Sequence, residues 1–391
     1  MDPRTNPYAP GAGTPPPELA GRDELIERAA VALDRIKSGR PSRSVIFYGL
    51  RGVGKTVLLN RIRRDATSRG LESVPIEAPE GRSLPAILIP AMRAALIRLS
   101  VSAKAKDIYD KSLSALAGFA KALKLKFQDI EVALDVGITP GVADSGDLEF
   151  DLIELLKTVG RAAKSQGIAL VLYIDELQYV QEEQLAALIT ALHGASQEQL
   201  PVTMVAAGLP QLLGQMGRAK SYAERLFEFV SVGPLDEVAA TAALCVPAHE
   251  EGVDYTSEAI TEILSQTRGY PYFLQEWGKH SWGVADSSPI AKNDAVKATQ
   301  IALAELDASF FRVRFDRLTP SEKRYMFAMA EMGAGPHRSG DIAERLDKKV
   351  TTVAPTRNTL IKKGMIYSPT HGDTAFTVPL FDGFMKRQRA D

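Results

Sequence analysis

The chain has 391 residues, of which 45% are hydrophobic and 24% are charged, and its formal net charge is −1. This length predicts two or three domains with sizeable cores. The balanced charge excludes a wholesale polycation, so any contact with nucleic acid must be a local basic patch. The single cysteine, Cys245, excludes a disulfide within the chain and has no metal-ligating neighbours in the sequence.

Residues 1–20 are rich in proline and glycine and lack the apolar core of a signal peptide. No apolar run approaches the length of a membrane span, so we expect a cytoplasmic protein with no membrane partner. The prolines disfavour a helix in this segment. It is predicted to be extended, and either lies along the domain that follows or is disordered. A helix is then predicted from Gly21 to about Arg35.

The apolar run Ser44–Tyr48 is typical of a strand, and it leads directly into a G-x-x-x-x-G-K-T motif and a helix. Glycines let successive backbone N–H groups point at phosphate oxygens, and the helix N-terminus adds partial positive charge. Lys55 is predicted to reach the β- and γ-phosphates, and the Thr56 hydroxyl to bind Mg²⁺. The alternative is a plain glycine-rich turn. We predict that ATP or ADP is contacted by Gly49, Leu50, Arg51, Gly52, Val53, Gly54, Lys55, Thr56 and Val57.

A second apolar run, Leu170–Ile174, ends in Asp175 and Glu176. Such a run is typical of a buried strand in a parallel sheet, and open α/β sheets bind ligands at the carboxyl ends of their strands. Asp175 is predicted to hold Mg²⁺, directly or through water. Glu176 is predicted to deprotonate the water that attacks the γ-phosphate. The alternative is a helix N-cap followed by an acidic first turn; the two acids together favour hydrolysis over binding alone.

The other elements before residue 235 alternate between strands and helices, which predicts a parallel sheet flanked by helices. Strands are expected at 71–78, 200–208 and 226–232, and helices at 84–99, 148–165 and 181–195. Residues 101–146 fit this pattern least. They are predicted to form an insertion on the nucleotide domain, with a helix over 103–123, an exposed hairpin within 125–136 and a glycine-rich loop. This insertion is either a surface that contacts a partner or an addition without a function of its own.

The last 75 residues predict three helices followed by a two-stranded hairpin, the order of a winged helix-turn-helix. The helices are expected at 320–330, 339–346 and 350–363, and the strands at 365–368 and 374–378. From Leu318 onward 12 basic and 8 acidic residues give +4. This charge favours double-stranded DNA, with protein contact as the alternative use of such a domain. The candidate DNA contacts are Lys348, Lys349, Thr352 and Arg357, with Thr351, Thr356 and Asn358 beside them.

The predicted fold class is therefore α/β, with a parallel-sheet P-loop nucleotide domain (21–234), a helical lid (235–316) and a C-terminal winged helix (317–391). The motifs together resemble those of AAA+ ATPases of the group related to origin-recognition initiators and STAND signalling NTPases. The resemblance covers nearly the whole chain. It implies that Arg22 and Pro271 lie near the base or ribose, and that Tyr8 belongs to an Asn-Pro-Tyr lead-in at the nucleotide site. For Pro271, a proline that merely begins a helix is the alternative.

The resemblance also implies that Arg225 acts as an arginine finger on the nucleotide of a neighbouring subunit in a homo-oligomer. The alternative is a solvent-facing arginine paired with Glu224 or Glu228, and Arg218 is the second choice for the finger. Two features depart from the family. The fourth strand ends in Ala206, Ala207 and Gly208 instead of a polar sensor, and the lid lacks the Gly-Asp-x-Arg pattern of a second sensor.

These observations predict a Mg²⁺-dependent ATPase with slow turnover, which couples its nucleotide state to DNA engagement or assembly through the winged helix. The alternative is a STAND-like switch in which the winged helix makes protein contacts. A scaffold that binds nucleotide without hydrolysing it is the third class, and Glu176 argues against it.

Overall fold

The computed structural model describes residues 1–11, 13–99, 106–123 and 142–388. The hairpin predicted within 125–136 lies outside the described residues. Among the described residues, no helix is both long enough and apolar enough to cross a bilayer.

Residues 21–234 form a parallel five-stranded sheet with helices on both faces, as predicted. The strands are β1 (Ser44–Tyr48), β2 (Glu72–Glu77), β3 (Leu170–Asp175), β4 (Val202–Gly208) and β5 (Phe227–Ser231), in the order β2-β3-β4-β1-β5. The helices are α1 (Asp23–Lys37), α2 (Lys55–Ser68), α3 (Leu84–Leu99), α4 (Lys106–Ala122), α5 (Leu148–Ser165), α6 (Glu182–Gln197), α7 (Leu212–Ala219) and α8 (Ala223–Leu226). The sequence did not predict α7 and α8.

The strands end together, and this places the candidate side chains at one edge of the sheet. β3 is buried between β2 and β4, so the apolar run that precedes Asp175 is explained by neighbours on both sides. Directly after β1, the chain passes close to the end of β5. A Cβ on Gly49 would lie 2.1 Å from the carbonyl oxygen of Val232, the residue that follows β5. A glycine is therefore required where β1 enters the turn.

The lid consists of α9 (Glu237–Glu250), α10 (Ser257–Thr267), α11 (Pro271–Val284) and α12 (Lys292–Leu306), followed by a π-helical turn (Asp307–Phe311) and α13 (Arg312–Asp316). Side chains of Asp236 and Thr256 cap the first two of these helices by accepting bonds from backbone N–H groups. Trp277 and Trp282 are fully buried at the centre of the lid.

The N-terminal segment, residues 1–11 and 13–20, packs against this lid, and we call it the strap. It is not extended throughout, because Pro3–Thr5 form a 3₁₀ turn capped by the Asp2 side chain. The Trp282 indole donates to the Asp2 carbonyl over 2.9 Å, and the Asn6 side chain donates to the Lys279 carbonyl over 3.1 Å. The lid supplies these anchors, and the later part of the strap also borders the nucleotide domain, where a Cβ on Gly13 would lie 3.2 Å from Thr56 Cγ2.

The C-terminal segment (317–388) has α14 (Pro320–Met332), β6 (His337–Arg338), α15 (Ser339–Arg345), α16 (Val350–Lys362), β7 (Ile366–Tyr367), β8 (Asp373–Phe376) and α17 (Phe381–Gln388). The three helices and the hairpin occur in the predicted order, and β6 and α17 are additional. Phe311 stacks on Phe384 with ring centres 5.3 Å apart. The lid and the C-terminal segment therefore share one hydrophobic core across the predicted border at 316/317.

Candidate active site

A cavity of about 640 Å³ opens at the carboxyl edge of the sheet, and three parts of the chain line it. The turn after β1 and the end of β3 form its floor. The strap contributes Ala9, Pro10 and Thr14. The lid and the helix that follows it close the remaining side, through Pro271, Tyr272, Gln275, Phe310 and Arg314.

The turn after β1 has the backbone geometry that its glycines predict. Gly52 and Gly54 have φ angles of 80° and 87°, and Gly54 is the N-cap of α2. Residues Arg51 to Val57 line the cavity. Gly49 and Leu50 do not, but their carbonyl oxygens accept bonds of 2.9 and 2.8 Å from the Lys55 ammonium.

Lys55 is almost fully buried beneath the turn. Burial lowers the pKa of its ammonium to about 8; Glu176 and Asp175 oppose this shift, whereas Arg51 adds to it. A buried cation at the N-terminus of a helix attracts an anion such as a phosphate group.

Thr56 and Asp175, which lie 119 positions apart, meet through a hydrogen bond of 2.6 Å from the Thr56 hydroxyl to Asp175 Oδ2. Burial raises the pKa of the Asp175 carboxyl, and the Thr56 bond opposes the shift. These two hard oxygen donors suit Mg²⁺, which takes one or two protein oxygens beside phosphate and water. The helix-cap alternative is not supported, because the Asp175 carboxylate bonds this hydroxyl and the adjacent Glu176 N–H, and Glu176 makes no side-chain cap bond.

Glu176 has a left-handed backbone conformation, with a φ of 53°. Two side chains contact its carboxylate. Its Oε1 lies 3.7 Å from the Arg51 guanidinium, and its Oε2 accepts a bond from the Gln178 amide. Arg51 also donates to the Tyr179 hydroxyl over 2.8 Å. A strained residue (φ > 0 costs a non-glycine residue about 1–2 kcal/mol) beside a ligand cavity is typical of functional sites.

Arg22 and Pro271 both line the cavity, and their place beside the base or ribose stays a prediction. The buried Arg22 guanidinium donates to the Val53 carbonyl over 3.1 Å and to the Gly233 carbonyl over 2.7 Å, which ties the turn to the start of the lid. Burial lowers the pKa of Arg22, and Asp236 opposes that shift. Pro271 also begins α11, so the structural role of the proline is present as well.

Tyr8 does not line the cavity. It is buried in the lid, where its hydroxyl donates to the Leu244 carbonyl and accepts a bond of 3.0 Å from the Tyr255 hydroxyl. It thus anchors the strap whose neighbouring residues form the cavity wall.

Arg225 is exposed on α8, away from the cavity lining, and does not join Lys55 and Glu176 within the same chain. Among the described residues it makes neither predicted pair, since Glu228 bonds Arg28 instead. Arg218 pairs with Glu182 at 3.0 Å. The role of Arg225 in a neighbouring subunit stays a prediction.

Sequence reasoning missed Gln178, which occupies the space beside the end of β4. Its Oε1 accepts a bond of 2.9 Å from the Leu209 N–H, and a Cβ on Gly208 would lie 2.8 Å from the same oxygen. The small residues at the end of β4 therefore leave space for the side chain of Gln178, which comes from the turn that follows β3. The position of Gln178, two residues after Glu176, was the only available signal.

Three of the four DNA candidates, Lys348, Lys349 and Thr352, are exposed at the start of α16. Arg357 is only partly exposed, and its contact with DNA stays a prediction. Its guanidinium is used within the C-terminal segment, where it donates to Thr374 Oγ1 (2.9 Å), Ser368 Oγ (2.9 Å) and the Asp373 carbonyl (3.1 Å).

The C-terminal segment is docked on the turn after β1, which no pattern in the sequence indicated. The Arg51 N–H donates to the Thr377 carbonyl over 3.0 Å. A Cβ on Gly364 would lie 3.2 Å from the Arg51 guanidinium and 3.3 Å from the Tyr179 hydroxyl. An ion pair between Arg317 and Glu80 adds a second attachment.

Comparisons with known proteins agree with this geometry. Residues 18–205 match the AAA ATPase domain family, and residues 308–385 match a domain family of unknown function. No curated protein matches the sequence. A Walker-type ATPase of Pyrococcus abyssi is similar in structure, with a TM-score of 0.60 and 16% identity over 95% of this chain and 97% of the other. The Aeropyrum pernix ORC2 protein, in ADPNP–ADP complexes, has a TM-score of 0.51 and 15% identity over 97% and 98%.

Proposed function

We propose that this chain, which carries an AAA ATPase domain within an AAA+ fold, binds and hydrolyses ATP with Mg²⁺ and uses its nucleotide state to control the C-terminal segment. The observation that carries the proposal is the 2.6 Å hydrogen bond between Thr56 and Asp175. It joins the glycine-rich turn to the end of β3 at the mouth of a cavity with a buried lysine.

The chain's own groups account for nucleotide binding. The backbone N–H groups at the Gly52–Gly54 end of the turn and at the N-terminus of α2 would face the phosphates, and Lys55 supplies a positive charge. Thr56 and Asp175 would hold Mg²⁺, which neutralises phosphate charge when bound. The base and ribose would occupy the part of the cavity that the strap and Pro271 line.

Glu176 is the general base in this proposal, since it follows Asp175 directly and borders the same cavity. It accepts the proton of the attacking water while the bond between the γ-phosphorus and its bridging oxygen breaks, and ADP and phosphate leave. In the described conformation its two carboxylate oxygens face Arg51 and Gln178. Both partners compete with water for the carboxylate, so slow basal turnover is expected.

The docked C-terminal segment supports control by a switch. It bonds the backbone of Arg51, and the side chain of Arg51 bonds Tyr179 and faces Glu176. Release of the C-terminal segment would free Arg51, the residue that restrains the proposed general base Glu176. We therefore favour regulation by docking, the behaviour expected of a STAND-like switch.

DNA engagement is the second candidate function. Lys348, Lys349 and Thr352 are exposed on one end of α16, in a segment with excess positive charge. Such residues suit phosphate contacts with little choice of sequence. An oligomer that uses Arg225 in trans is compatible with either function.

The test is ATP binding and turnover by the purified chain in Mg²⁺, with and without duplex DNA at two salt concentrations. Lys55→Ala is expected to abolish binding. Glu176→Gln is expected to retain binding and lose about 10²- to 10⁴-fold in turnover. The matched control is Glu183→Gln, an exposed acid on α6, which should behave as wild type. Turnover that is unaffected by Glu176→Gln would refute hydrolysis at this site.

A further inference from the structure

Arg314 is a cation of the cavity wall that no motif predicted. It lies on α13, after the four lid helices and within the segment that matches a domain of unknown function. It lines the same cavity as Lys55 and Glu176. Its position therefore connects the nucleotide site to the part of the chain that leads into the C-terminal segment.

The charge of Arg314 has no carboxylate partner. Among the described residues, no acidic side chain lies within ion-pair distance of its guanidinium. Its neighbours on α13 and just beyond differ in this respect, since Arg312 pairs with Asp316 and Arg317 with Glu80. The recorded contacts of Arg314 are a hydrogen bond to the Phe310 carbonyl and a cation–π contact of 4.0 Å with the Phe310 ring.

The surroundings of Arg314 add further positive charge. Burial lowers the pKa of its guanidinium to about 10, and Arg51 contributes to the shift in the same direction. The group stays protonated at neutral pH. Two guanidinium groups that face one cavity, one of them without an acid, are the arrangement that recognises a phosphate group.

We propose that Arg314 binds the terminal phosphate of a bound nucleoside triphosphate and thereby ties α13 to the nucleotide state. This inference rests on the proposed function, because it assumes that the phosphates enter over Lys55. A diphosphate lacks the group that Arg314 contacts, so α13 is tied in the triphosphate state alone.

The packing around Arg314 would transmit the difference between the triphosphate and diphosphate states to the C-terminal segment. Phe311 and Phe315 flank it in sequence, and both are buried. Phe311 stacks on Phe384, and the Phe315 ring meets Phe384 edge-on at 5.7 Å. A displacement of α13 would therefore move α17, because close-packed side chains transmit the shifts of their neighbours.

The test compares the affinities of a non-hydrolysable ATP analogue and of ADP, measured calorimetrically with Mg²⁺. Arg314→Met keeps an apolar stem against Phe310 and removes the charge. It is expected to lower the preference for triphosphate over diphosphate by about tenfold or more, the effect of one lost charge-assisted hydrogen bond, with ADP affinity retained. Arg314→Lys should retain part of the preference.

Arg312→Met is the matched control, since its side chain is exposed and paired on the same helix, and it should leave the preference unchanged. Equal weakening of both nucleotides by Arg314→Met, or an unchanged preference, would overturn the inference and leave Arg314 a structural residue. If the wild-type chain binds neither nucleotide, the proposed function fails first and this inference fails with it. Hydrogen exchange over α17 gives a second readout: a triphosphate-dependent difference in wild type that Arg314→Met abolishes.

Discussion

The guanidinium of Arg51 lies 3.7 Å from the carboxylate of Glu176, although the two residues belong to different loops. Arg51 occupies one of the unspecified positions of the G-x-x-x-x-G-K-T motif. Its backbone N–H bonds the carbonyl of Thr377 in the C-terminal segment. One residue of the phosphate-binding turn therefore connects the candidate base to the docked segment, and this connection is the basis of the regulation that we propose.

The pKa of Lys55 predicts how nucleotide binding depends on pH. Burial lowers this pKa to about 8, and only the protonated ammonium attracts phosphate. The protonation of Lys55 should leave the affinity for ADP nearly constant below about pH 7. Above it the free chain loses the proton that the complex keeps, and the affinity should fall by up to about tenfold per pH unit. Calorimetric titration from pH 6.5 to 9.5 measures this dependence.

Lys55→Arg is the control for that titration, because a guanidinium stays protonated throughout the range. Its affinity, whatever its level, should not fall between pH 8 and 9.5. The same decline in both proteins would assign the pH dependence to another group.

The anchoring of the strap by Tyr8 predicts a contrast between two glycines of α11. A Cβ on Gly278 would lie 2.6 Å from the Tyr8 ring, whereas a Cβ on Gly283 would meet nothing within 4 Å. Gly278→Ala should displace Tyr8, lower the free energy of unfolding by about 1–3 kcal/mol, and weaken ADP binding because the strap lines the cavity. Gly283→Ala should stabilise the helix by about 0.5–1 kcal/mol and leave binding unchanged.

Urea denaturation and ADP titration of the two alanine variants check this contrast. If both variants bind ADP as wild type does, the strap is not part of the site.

The sequence was sufficient for those parts of the molecule that local patterns determine. The helix from Leu84 to Leu99 was predicted with its observed bounds, because its apolar residues recur at helical spacing and most of them are buried. The turn from Gly49 to Thr56 and the acids that end β3 were predicted because each motif requires particular residue types. Their meeting through the Thr56 hydroxyl follows from parallel strands that end at one edge.

The parts that could not be predicted depend on contacts between distant residues. Arg314 has no motif, and only packing of α13 against the cavity brings it to the site. The charge of Arg357 suggested a DNA contact, but no local pattern indicated that its Nε and one Nη would bond Thr374 and Ser368 of the hairpin. The docking of Thr377 on Arg51 likewise has no local signal.

The basic residues at the start of α16 and within it have different environments, which predict different effects of their removal. Removing the exposed Lys348 and Lys349 together should leave the unfolding midpoint unchanged. It should weaken any binding to duplex DNA and reduce its salt dependence. Arg357→Ala should instead destabilise the C-terminal segment by about 1–3 kcal/mol, because it leaves several acceptors unpaired.

Fluorescence anisotropy with duplex DNA at two salt concentrations, together with urea denaturation, separates these effects. Binding that survives the loss of both lysines would exclude the start of α16 as the DNA contact.

The central claim, that the docked C-terminal segment restrains ATP hydrolysis, is tested most directly by ATP turnover in two alanine variants. Gly364 and Gly372 both have positive φ angles, 63° and 87°, so alanine costs each about 1–2 kcal/mol of backbone strain. Only Gly364 faces Arg51 and Tyr179; a Cβ on Gly372 would meet nothing within 4 Å. We predict that Gly364→Ala undocks the segment and raises turnover by about 5- to 30-fold, whereas Gly372→Ala turns over as wild type. Turnover by Gly364→Ala that is equal to or below that of Gly372→Ala would contradict the claim.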